Sequence, residues 1–343
     1  MDERKISLTG IKPSGTPHIG NYLGMIRPAL ELARTYRAYY FIADYHALTT
    51  VRDAEDLRQQ SYDLTATFLA LGMNPDDVVF FRQSDIPEVF ELTWILSCFT
   101  AKGLLNRAHA YKAAVDANLE AGEDPDHGIN AGLYYYPALM AADILLYGSH
   151  IVPVGKDQKQ HVEMSRDMAQ AVNFTYGHEV FVIPEAVIRD EVAIIPGLDG
   201  RKMSKSYDNV IPIFATTRAL RQRVMQIVTD SRPVVAPKNP DEDNVYNIYK
   251  YFASPEQDRA MKEKYLQGGF GYGEVKQELF DLLEATFCEV REKYNSYLQN
   301  TKLLEEILME GARKARIQGA RVMKRARRAV GVRHNRELLL EKS

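Results

Sequence analysis

Apolar runs and amphipathic stretches alternate along the first part of the chain. Short apolar runs typical of buried strands occur at ISLTG (6–10), RAYYFIA (37–43), DDVVFF (76–81) and IVPVG (151–155). Helical spacing of apolar residues occupies 24–36, 53–72, 86–148 and 157–173. A strand, a crossover helix and a second strand form a βαβ unit, whose two strands are parallel. The pattern therefore predicts an α/β fold with a doubly wound parallel sheet.

From Thr216 onward the strand pattern stops. Helical spacing accounts for 215–230, 244–254 and 270–330, and a loop rich in proline and charge occupies 233–244. A chain of 343 residues is more readily divided into two domains than built around one core. We predict an α/β domain over residues 1–206 and a smaller helical domain over 207–343, whose terminal helix packs back on the first domain.

Composition and charge limit the classes of function. The net charge of -3 gives no overall attraction to nucleic acid, so a polyanion must be met by local patches. Cys98 and Cys288 stand far apart, which fits a reducing cytoplasm and excludes a four-thiolate metal or iron–sulfur site. The first ten residues lack the apolar core of a secretory signal, and the most apolar stretch, 134–148, contains Pro137 and is too short to cross a bilayer. We expect a cytoplasmic protein without a membrane partner.

The turn after the first predicted strand, KPSGTPHIGNYLG (12–24), has the composition of a phosphate site. A glycine-rich turn that enters a helix presents free backbone N–H groups at the carboxyl edge of a parallel sheet. His18 can donate a hydrogen bond to a phosphoryl oxygen, Gly20 lets a base or ribose approach closely, and Asn21 adds a neutral donor. The alternative is that these prolines and glycines only shape the chain, and HIGN alone does not decide between the two.

The segment GRKMSKSYDN (200–209) carries two lysines among serines. Lys202 and Lys205 suit a pyrophosphate that gains charge as its bond to the α-phosphorus breaks. A solvated basic turn is the alternative. Because KMSKS follows HIGN in the same predicted domain, we favour a loop that binds a triphosphate.

These two motifs resemble the signatures of the class I aminoacyl-tRNA synthetases. Within that class, the segments TGIKPSGTPHIGNYLG, ADYHALT, NRAHAYK, MAADILLY, VPVGKDQKQH and GRKMSKSYDN are similar to the tryptophanyl-tRNA synthetase family, and the resemblance covers nearly the whole chain. It implies a Rossmann fold, a small helical domain, a homodimer, and the substrates ATP, L-tryptophan and tRNA(Trp). It also implies Mg²⁺ bound through the ATP phosphates, with no metal held by protein side chains and no DNA partner.

The resemblance also implies roles for individual residues. Catalysis falls to His18, Asn21, Lys202 and Lys205. The expected ATP contacts are Lys12, Pro13, Ser14, Gly20, Asn21, Gly155, Lys156, Asp157, Ile195, Lys202, Met203, Ser204, Lys205 and Ser206. The expected tryptophan contacts are Leu8, Tyr136, Met140, Asp143 and Gln158, with Gln158 at the ammonium group. For Asp157 and Gln158, capping of the following helix is an alternative that can coexist with ligand binding.

Asp143 can also be interpreted from its position. It stands among apolar residues in MAADILLY (140–147), and a buried carboxylate needs a partner. That partner is either a basic side chain or helix N-terminus of the protein, or an N–H group of a ligand. By resemblance the ligand group is the indole nitrogen of tryptophan. Phenylalanine would leave Asp143 unpaired, a defect that rejects an analogue by roughly 10⁴ to 10⁵.

The chain departs from the family pattern at several positions. His18 stands where many bacterial members carry threonine, and Leu8 stands where a bulkier residue is expected against the indole. Lys12 replaces a commoner glutamine, and either reaches the triphosphate or is one more surface lysine. The segment PGLDG before the second motif is shorter than usual, which leaves the register at Ile195 open.

The last part of the chain is strongly basic. A stripe without acidic residues comprises Arg313, Lys314, Arg316, Arg321, Lys324, Arg325, Arg327, Arg328, Arg333 and Arg336. Such a stripe suits tRNA phosphates, while the alternative is a solvated face or side chains that balance acidic neighbours in the fold.

The predicted reaction has two steps. The carboxylate of tryptophan attacks the α-phosphorus of ATP without a protein nucleophile, and the terminal ribose of the tRNA then takes the tryptophanyl group. A tyrosyl-tRNA synthetase is an alternative, although a differently placed Asp and a Tyr would be expected for it. An adenylate-forming nucleotidyltransferase without tRNA would not need the helical domain. A non-enzymatic RNA-binding protein would have little reason to keep both phosphate motifs.

Overall fold

The centre of the fold is a parallel sheet. The structure is a computed structural model that describes residues 4–13, 15–155, 158–188 and 195–332. Within these ranges the sheet has five strands in the order β3-β2-β1-β4-β5, all parallel. The strands are β1 (Ile6–Ile11), β2 (Arg37–Ile42), β3 (Val78–Arg82), β4 (Ile151–Val154) and β5 (Glu185–Ile188). The chain moves outward from β1 to β3 and returns to β4, so the strand order reverses between β1 and β4.

Helices connect the strands and continue after the last of them. Those before the last strand are α1 (Ile19–Asn21), α2 (Arg27–Leu32), α3 (Asp44–Ala47), α4 (Ala54–Ala70), α5 (Glu88–Cys98), α6 (Lys102–Leu105), α7 (His109–Glu120), α8 (Ala131–Leu145) and α9 (Lys159–Tyr176). Those after it are α10 (Thr217–Met225), α11 (Asn244–Tyr249), α12 (Pro255–Gln267), α13 (Tyr272–Leu298) and α14 (Thr301–Val330). A short π-helix, Tyr22–Ile26, joins α1 to α2. In the described part of the chain, no helix is both long and apolar enough to cross a membrane.

The doubly wound α/β fold predicted from the sequence is confirmed, and several elements were missed, among them α3, β5 and α12. The strand β5 has only four residues, and its side chains are half-buried or exposed, so it lacks an apolar run. The helix α12 buries only Met261 and Tyr265, so its hydrophobic stripe is too narrow to be recognised. Its start is nevertheless marked by a capping box between Ser254 and Gln257.

Both faces of the sheet are buried, which explains the continuous apolar runs of its strands. Alternate residues of β2 face opposite sides. Tyr39 and Phe41 pack in one apolar cluster with α5, α8 and α9, while Tyr40 and Ile42 pack in another with α4. A third cluster is built mainly from α10, α11, α12 and α13, and it includes Ile19 of the turn after β1. The helical part of the chain is therefore anchored directly on that turn.

The helix α14 lies against β3, the edge strand of the sheet. Contact is close at Gly311, since a Cβ atom there would lie 1.7 Å from the carbonyl oxygen of Phe80. The buried side chains of Leu304 and Leu308 join the cluster that contains β3. The helix thereby covers an edge that would otherwise be open to pairing with another strand.

Several basic residues of α14 are used within the fold. Arg316 and Arg327 form ion pairs with Glu88 and Glu91 of α5, each at 2.6 Å. Other intramolecular partners are Glu310 for Arg313, the Pro75 carbonyl for Lys314 and the Val180 carbonyl for Arg325. For these side chains the structure supports the alternative given above, in which basic residues pair with groups of the fold instead of tRNA phosphates. Arg321 and Lys324 are exposed, and Arg333 and Arg336 lie outside the described residues.

The packing of α14 on β3 leads to a prediction for two glycines. Gly311→Ala should destabilise the fold by about 3 kcal/mol, because the new methyl group meets strand backbone that cannot move aside. Gly319→Ala is the matched control on the same helix. Its Cβ would lie 3.4 Å from Leu146, an ordinary contact, so we expect no loss and a gain of up to about 1 kcal/mol from helix propensity. Urea unfolding measures both, and equal stability of the two variants would contradict the close contact.

Candidate active site

The two phosphate motifs meet in space although nearly two hundred residues separate them. The backbone N–H of Ile19 donates to the carbonyl of Ile211 at 3.0 Å, and that of Ile213 donates to Pro17 at 3.4 Å. The chain after KMSKS therefore pairs with the turn that contains His18. This turn follows β1, at the edge where the strand order reverses, which is where open α/β sheets bind ligands.

The turn after β1 is preorganised around His18. The side-chain oxygen of Asn21 accepts a hydrogen bond from the backbone N–H of His18 at 3.1 Å, which caps α1. A Cβ at Gly20 would lie 3.0 Å from the His18 ring and 3.5 Å from Met203. Side chains larger than glycine would thus crowd the place where the two motifs touch.

Lys205 brings a positive charge to the same turn. Gly15 has a φ of +78°, and a Cβ there would lie 3.4 Å from the Lys205 Nζ. The side chain of His18 is only 7% exposed. Burial, and then the nearby charge of Lys205, lower the pKa of His18 to about 4. His18 is therefore neutral near pH 7 and offers one N–H beside a cation, which suits an anionic ligand.

The KMSKS loop is organised by the buried side chain of Asn209. Its amide oxygen accepts from the backbone N–H of Ser204 at 2.8 Å, and its amide nitrogen donates to Asp199 at 2.7 Å and to the Lys202 carbonyl at 3.1 Å. A Cβ at Gly197 would lie 2.3 Å from Asn209, so this approach requires glycine. The Asn209 side chain therefore fixes the backbone of the loop that carries Lys202 and Lys205.

Other predicted loop residues are divided between the core and solvent. Ile195 and Met203 are buried, and the Met203 N–H donates to the Ile195 carbonyl at 2.9 Å. Lys202, Lys205 and Ser206 are exposed. The shortened segment before the motif thus places Ile195 directly beside the loop.

The Asp143 carboxylate is enclosed by two protein donors. Asp143 is 3% exposed, and the Gln83 Nε2 donates to its two oxygens at 2.9 and 2.8 Å. The His46 Nε2 donates to the Oδ2 at 2.9 Å, and the His46 backbone N–H meets the Gln83 Oε1 at 3.4 Å. Burial raises the pKa of Asp143, and the hydrogen bonds from His46 and Gln83 oppose that rise. A carboxylate can accept about four hydrogen bonds, so one acceptor position of Asp143 is not used by His46 or Gln83.

A potential pocket wall lies on the same face of α8 as Asp143. Tyr136, Met140 and Asp143 follow one another at spacings of four and three residues. The Tyr136 ring packs edge-on against His46, with centroids 4.4 Å apart, and against His161 at 5.4 Å. The structure thus brings an aromatic ring next to the buried carboxylate.

The remaining predicted contact residues lie on β1 and in the segments that follow β1 and β4. Leu8 is buried in β1, in the apolar cluster against which Met140 packs. Gly155 and Gln158 are exposed after β4, and the Gln158 side chain makes no capping hydrogen bond to the described residues. The Lys12 Nζ donates to Thr50 at 2.8 Å, and burial lowers the pKa of Lys12. Pro13 is buried beside it. Ser14, Lys156 and Asp157 lie outside the described residues.

Three residues that shape the site were missed from sequence. His46 and Gln83 each follow the carboxyl end of a strand, β2 and β3 respectively, so the edge rule could have identified them. Asn209 lies just after KMSKS, and only its burial distinguishes it from an ordinary turn residue.

Comparison with known proteins agrees with this geometry. The model of the family "tRNA synthetases class I (W and Y)" matches residues 2–288. The chain belongs to this family. The tryptophan–tRNA ligase of Pseudomonas aeruginosa is 52% identical over 336 residues, which cover 97% of this chain and 75% of that protein. That of Bordetella parapertussis is 49% identical over 328 residues, 95% of this chain and 72% of that protein.

The same family contains solved structures with this fold. One of them is the crystal structure of tryptophanyl-tRNA synthetase from Campylobacter jejuni, complexed with ADP and tryptophan. It matches the present chain with a TM-score of 0.86 and 45% sequence identity. The match covers 95% of this chain and 99% of the Campylobacter chain. The similarity therefore extends through the helical part of the synthetase as well as its sheet.

The environment of His18 in this synthetase predicts a pH dependence. The folded-state pKa, about 4, lies below the ordinary value of 6.5, so protonation favours the unfolded chain. The contribution of neutral His18 to the free energy of unfolding should be fully present above pH 6.5. This contribution should be lost as the pH falls toward 4. Histidine NMR titration should find the His18 ring neutral at pH 6.

Unfolding in urea at pH 7 and pH 5 provides a second measurement. The stability loss at pH 5 should be smaller in His18→Asn than in the unmodified chain, while a variant of the exposed His127 serves as control. A His18 ring that titrates near pH 6.5 would contradict the prediction.

Proposed function

We propose that this chain activates L-tryptophan with ATP and transfers the tryptophanyl group to the 3′ end of tRNA(Trp). The observation that carries the proposal is the meeting of two phosphate-type motifs at the sheet edge, with an enclosed carboxylate on the neighbouring helix face. Relatives about half identical to the chain are named tryptophan–tRNA ligases, which supports the same assignment.

ATP binds along the carboxyl edge between β1 and β4 in this proposal. Gly20 and Gly155 allow the base and ribose to approach the backbone, while His18 and Asn21 face the phosphates. Lys202 and Lys205 hold the β- and γ-phosphates as pyrophosphate leaves. Mg²⁺ arrives bound to the ATP phosphates and neutralises part of their charge. Catalysis thus consists of positioning and charge stabilisation, without a covalent enzyme intermediate.

The remaining proposed ATP contacts come from the KMSKS loop and from the segments after β1 and β4. The loop residues Met203, Ser204 and Ser206 lie beside the pyrophosphate, and Ile195 packs behind them. Lys12 and Pro13 flank the phosphate turn, where the Lys12 ammonium now bonds Thr50. For Ser14, Lys156 and Asp157, outside the described residues, contact with ATP rests on the sequence motif alone.

Tryptophan binds with its indole N–H directed at Asp143. Donation by His46 and Gln83 favours the ionised carboxylate and leaves it as an acceptor, so a donor on the ligand completes its hydrogen bonds. Tyr136, Met140 and Leu8 supply the apolar contacts to the ring, and Gln158 reaches the ammonium group. The carboxylate of the amino acid then lies toward the α-phosphate of ATP. Selectivity follows because an amino acid without an N–H leaves Asp143 incompletely paired.

The helical part of the chain is proposed to contact tRNA. Much of the basic surface of α14 pairs with the fold, so exposed Arg321 and Lys324 are the better candidates on that helix. We also propose that the protein acts in the cytoplasm, where the free thiols of Cys98 and Cys288 stay reduced.

Exchange of labelled pyrophosphate into ATP tests the activation step across all twenty amino acids. We expect exchange with tryptophan alone, followed by charging of tRNA(Trp) when tRNA is added. Asp143→Ala should lower kcat/KM for tryptophan about a hundredfold and leave the KM for ATP unchanged, because a charged acceptor is lost. Asp126→Ala, at an exposed position, is the control. Exchange with tyrosine would indicate a tyrosyl enzyme, and exchange without tRNA charging would indicate an adenylate-forming transferase.

An exposed apolar patch supports a homodimer. The patch consists of Tyr45 and Leu48 from α3 with its C-terminal end, and of Phe90 and Trp94 from α5. Leu48, Phe90 and Trp94 are 47%, 45% and 72% exposed, and the Tyr45 and Phe90 ring centroids lie 4.6 Å apart. Monomeric proteins seldom expose contiguous aromatic surface of this kind. We propose that a second copy of the chain covers the patch in a two-fold arrangement.

Trp94 also provides the test, because it is the only tryptophan in the sequence. The unmodified protein should sediment as a dimer, with tryptophan emission that shifts to the red when dilution separates the subunits. Trp94→Glu should sediment as a monomer, whereas Phe174→Glu, at another exposed position, should remain dimeric. A dimeric Trp94→Glu variant would place the interface elsewhere.

A further inference from the structure

The turn that carries Gln83 is anchored at the residue before it. Arg82 ends β3, and its Nε donates to Asp85 within the turn at 3.1 Å. Its two other guanidinium nitrogens donate to the two oxygens of Glu305 at 2.7 and 2.6 Å. All three nitrogens of Arg82 are thus engaged, in a two-bond geometry that fixes direction as well as distance.

Glu305 belongs to α14 and is itself held in place. The Arg82 and Glu305 side chains are 19% and 31% exposed, so the pair is partly shielded from water. Burial alone would raise the pKa of Glu305, yet hydrogen bonds from Arg82 and from Tyr62 of α4 hold that pKa below its usual range. Glu305 therefore joins α14, α4 and the end of β3 through one carboxylate.

The turn is anchored from the other side by Asp44. Its carboxylate accepts from the backbone N–H of Ser84 at 3.1 Å and also from the Ser84 hydroxyl. The residues on both sides of Gln83 are thus fixed. Successive side chains at a strand end point in opposite directions, so Arg82 faces α14 while Gln83 faces Asp143.

We propose that Glu305 is a positioning residue for the amino-acid pocket: through Arg82 it sets the turn from which Gln83 orients the Asp143 carboxylate. The inference rests on the proposed function and extends it, because it makes the C-terminal helix a determinant of selectivity for the indole N–H. Gln83 bonds both oxygens of Asp143, so a shift of the turn changes the direction of the remaining acceptor site. Shifts of about 1 Å are known to affect binding and rate strongly.

Glu305→Gln is the informative substitution, because it preserves side-chain volume while removing the charge of the pair. The attachment of α14 to β3 also depends on Gly311 and on buried Leu304 and Leu308, so the fold does not rest on this ion pair. Glu310→Gln is the matched control. It lies on the same helix, and its carboxylate pairs with Arg313 of α14 instead of the β3 turn.

Pyrophosphate exchange is measured with tryptophan and with an analogue in which sulfur replaces the indole N–H. Glu305→Gln should raise the KM for tryptophan about fivefold and leave the KM for ATP unchanged. The preference in kcat/KM for tryptophan over the sulfur analogue should fall by a similar factor, since only the N–H contact is weakened. Glu310→Gln should match the unmodified protein in every parameter.

Arg82→Lys tests the same path from the other partner, because lysine keeps the charge but loses the two-bond geometry. The double variant with Glu305→Gln should have a KM for tryptophan no higher than the worse single variant, as expected for residues that act through one contact. Active-site titration and urea unfolding accompany each variant, so that loss of folded protein is not read as altered binding.

Several outcomes overturn the inference. They are a KM for tryptophan equal in Glu305→Gln and Glu310→Gln, an equal rise in the KM for both substrates, or an unchanged preference over the sulfur analogue. Failure of the proposed function is recognised separately, since the unmodified protein would then show no exchange with tryptophan.

Discussion

The parallel register of the sheet is the constraint on which the site depends. His18, His46 and Gln83 follow β1, β2 and β3, and Gly155 follows β4, so parallel strands deliver all four to one edge. A reversed strand would send its residue to the opposite edge, some four to six residues of extended chain away. The strand order reverses between β1 and β4, which is where open α/β sheets bind ligands. The segment after KMSKS pairs with the first turn at the same edge.

Two different electrostatic environments lie near this edge. In the turn after β1, burial and the nearby charge of Lys205 lower the pKa of His18 to about 4, so the turn presents a neutral imidazole beside a positive charge. At the other end, Asp143 is enclosed by neutral or weakly basic donors instead of an arginine. An arginine would bring a full positive charge to the carboxylate, whereas His46 and Gln83 pair with it through three hydrogen-bond contacts and leave one acceptor position unused.

The helix α14 connects several of these features. It covers the open edge of β3, pairs Arg316 and Arg327 with α5, and holds Arg82 through Glu305. The same α5 bears Phe90 and Trp94 of the apolar patch, while α3 bears both Tyr45 of the patch and His46 of the carboxylate cluster. The Asp143 cluster, the edge of the sheet and the apolar patch are therefore built on adjoining elements.

The sequence by itself determined the fold class, the two phosphate motifs and the isolation of Asp143 in an apolar helix, because each is recorded in local order: strand and helix periods, glycine spacing, one charge among apolar neighbours. Only the tertiary structure decided which groups surround Asp143, since His46 and Gln83 lie 97 and 60 residues away and meet it through strand order and helix docking. It likewise decided that Arg316 and Arg327 serve the fold. A basic stripe on a helix has the same pattern whether it faces a phosphate or a glutamate, and only the docking of α14 on α5 distinguishes them.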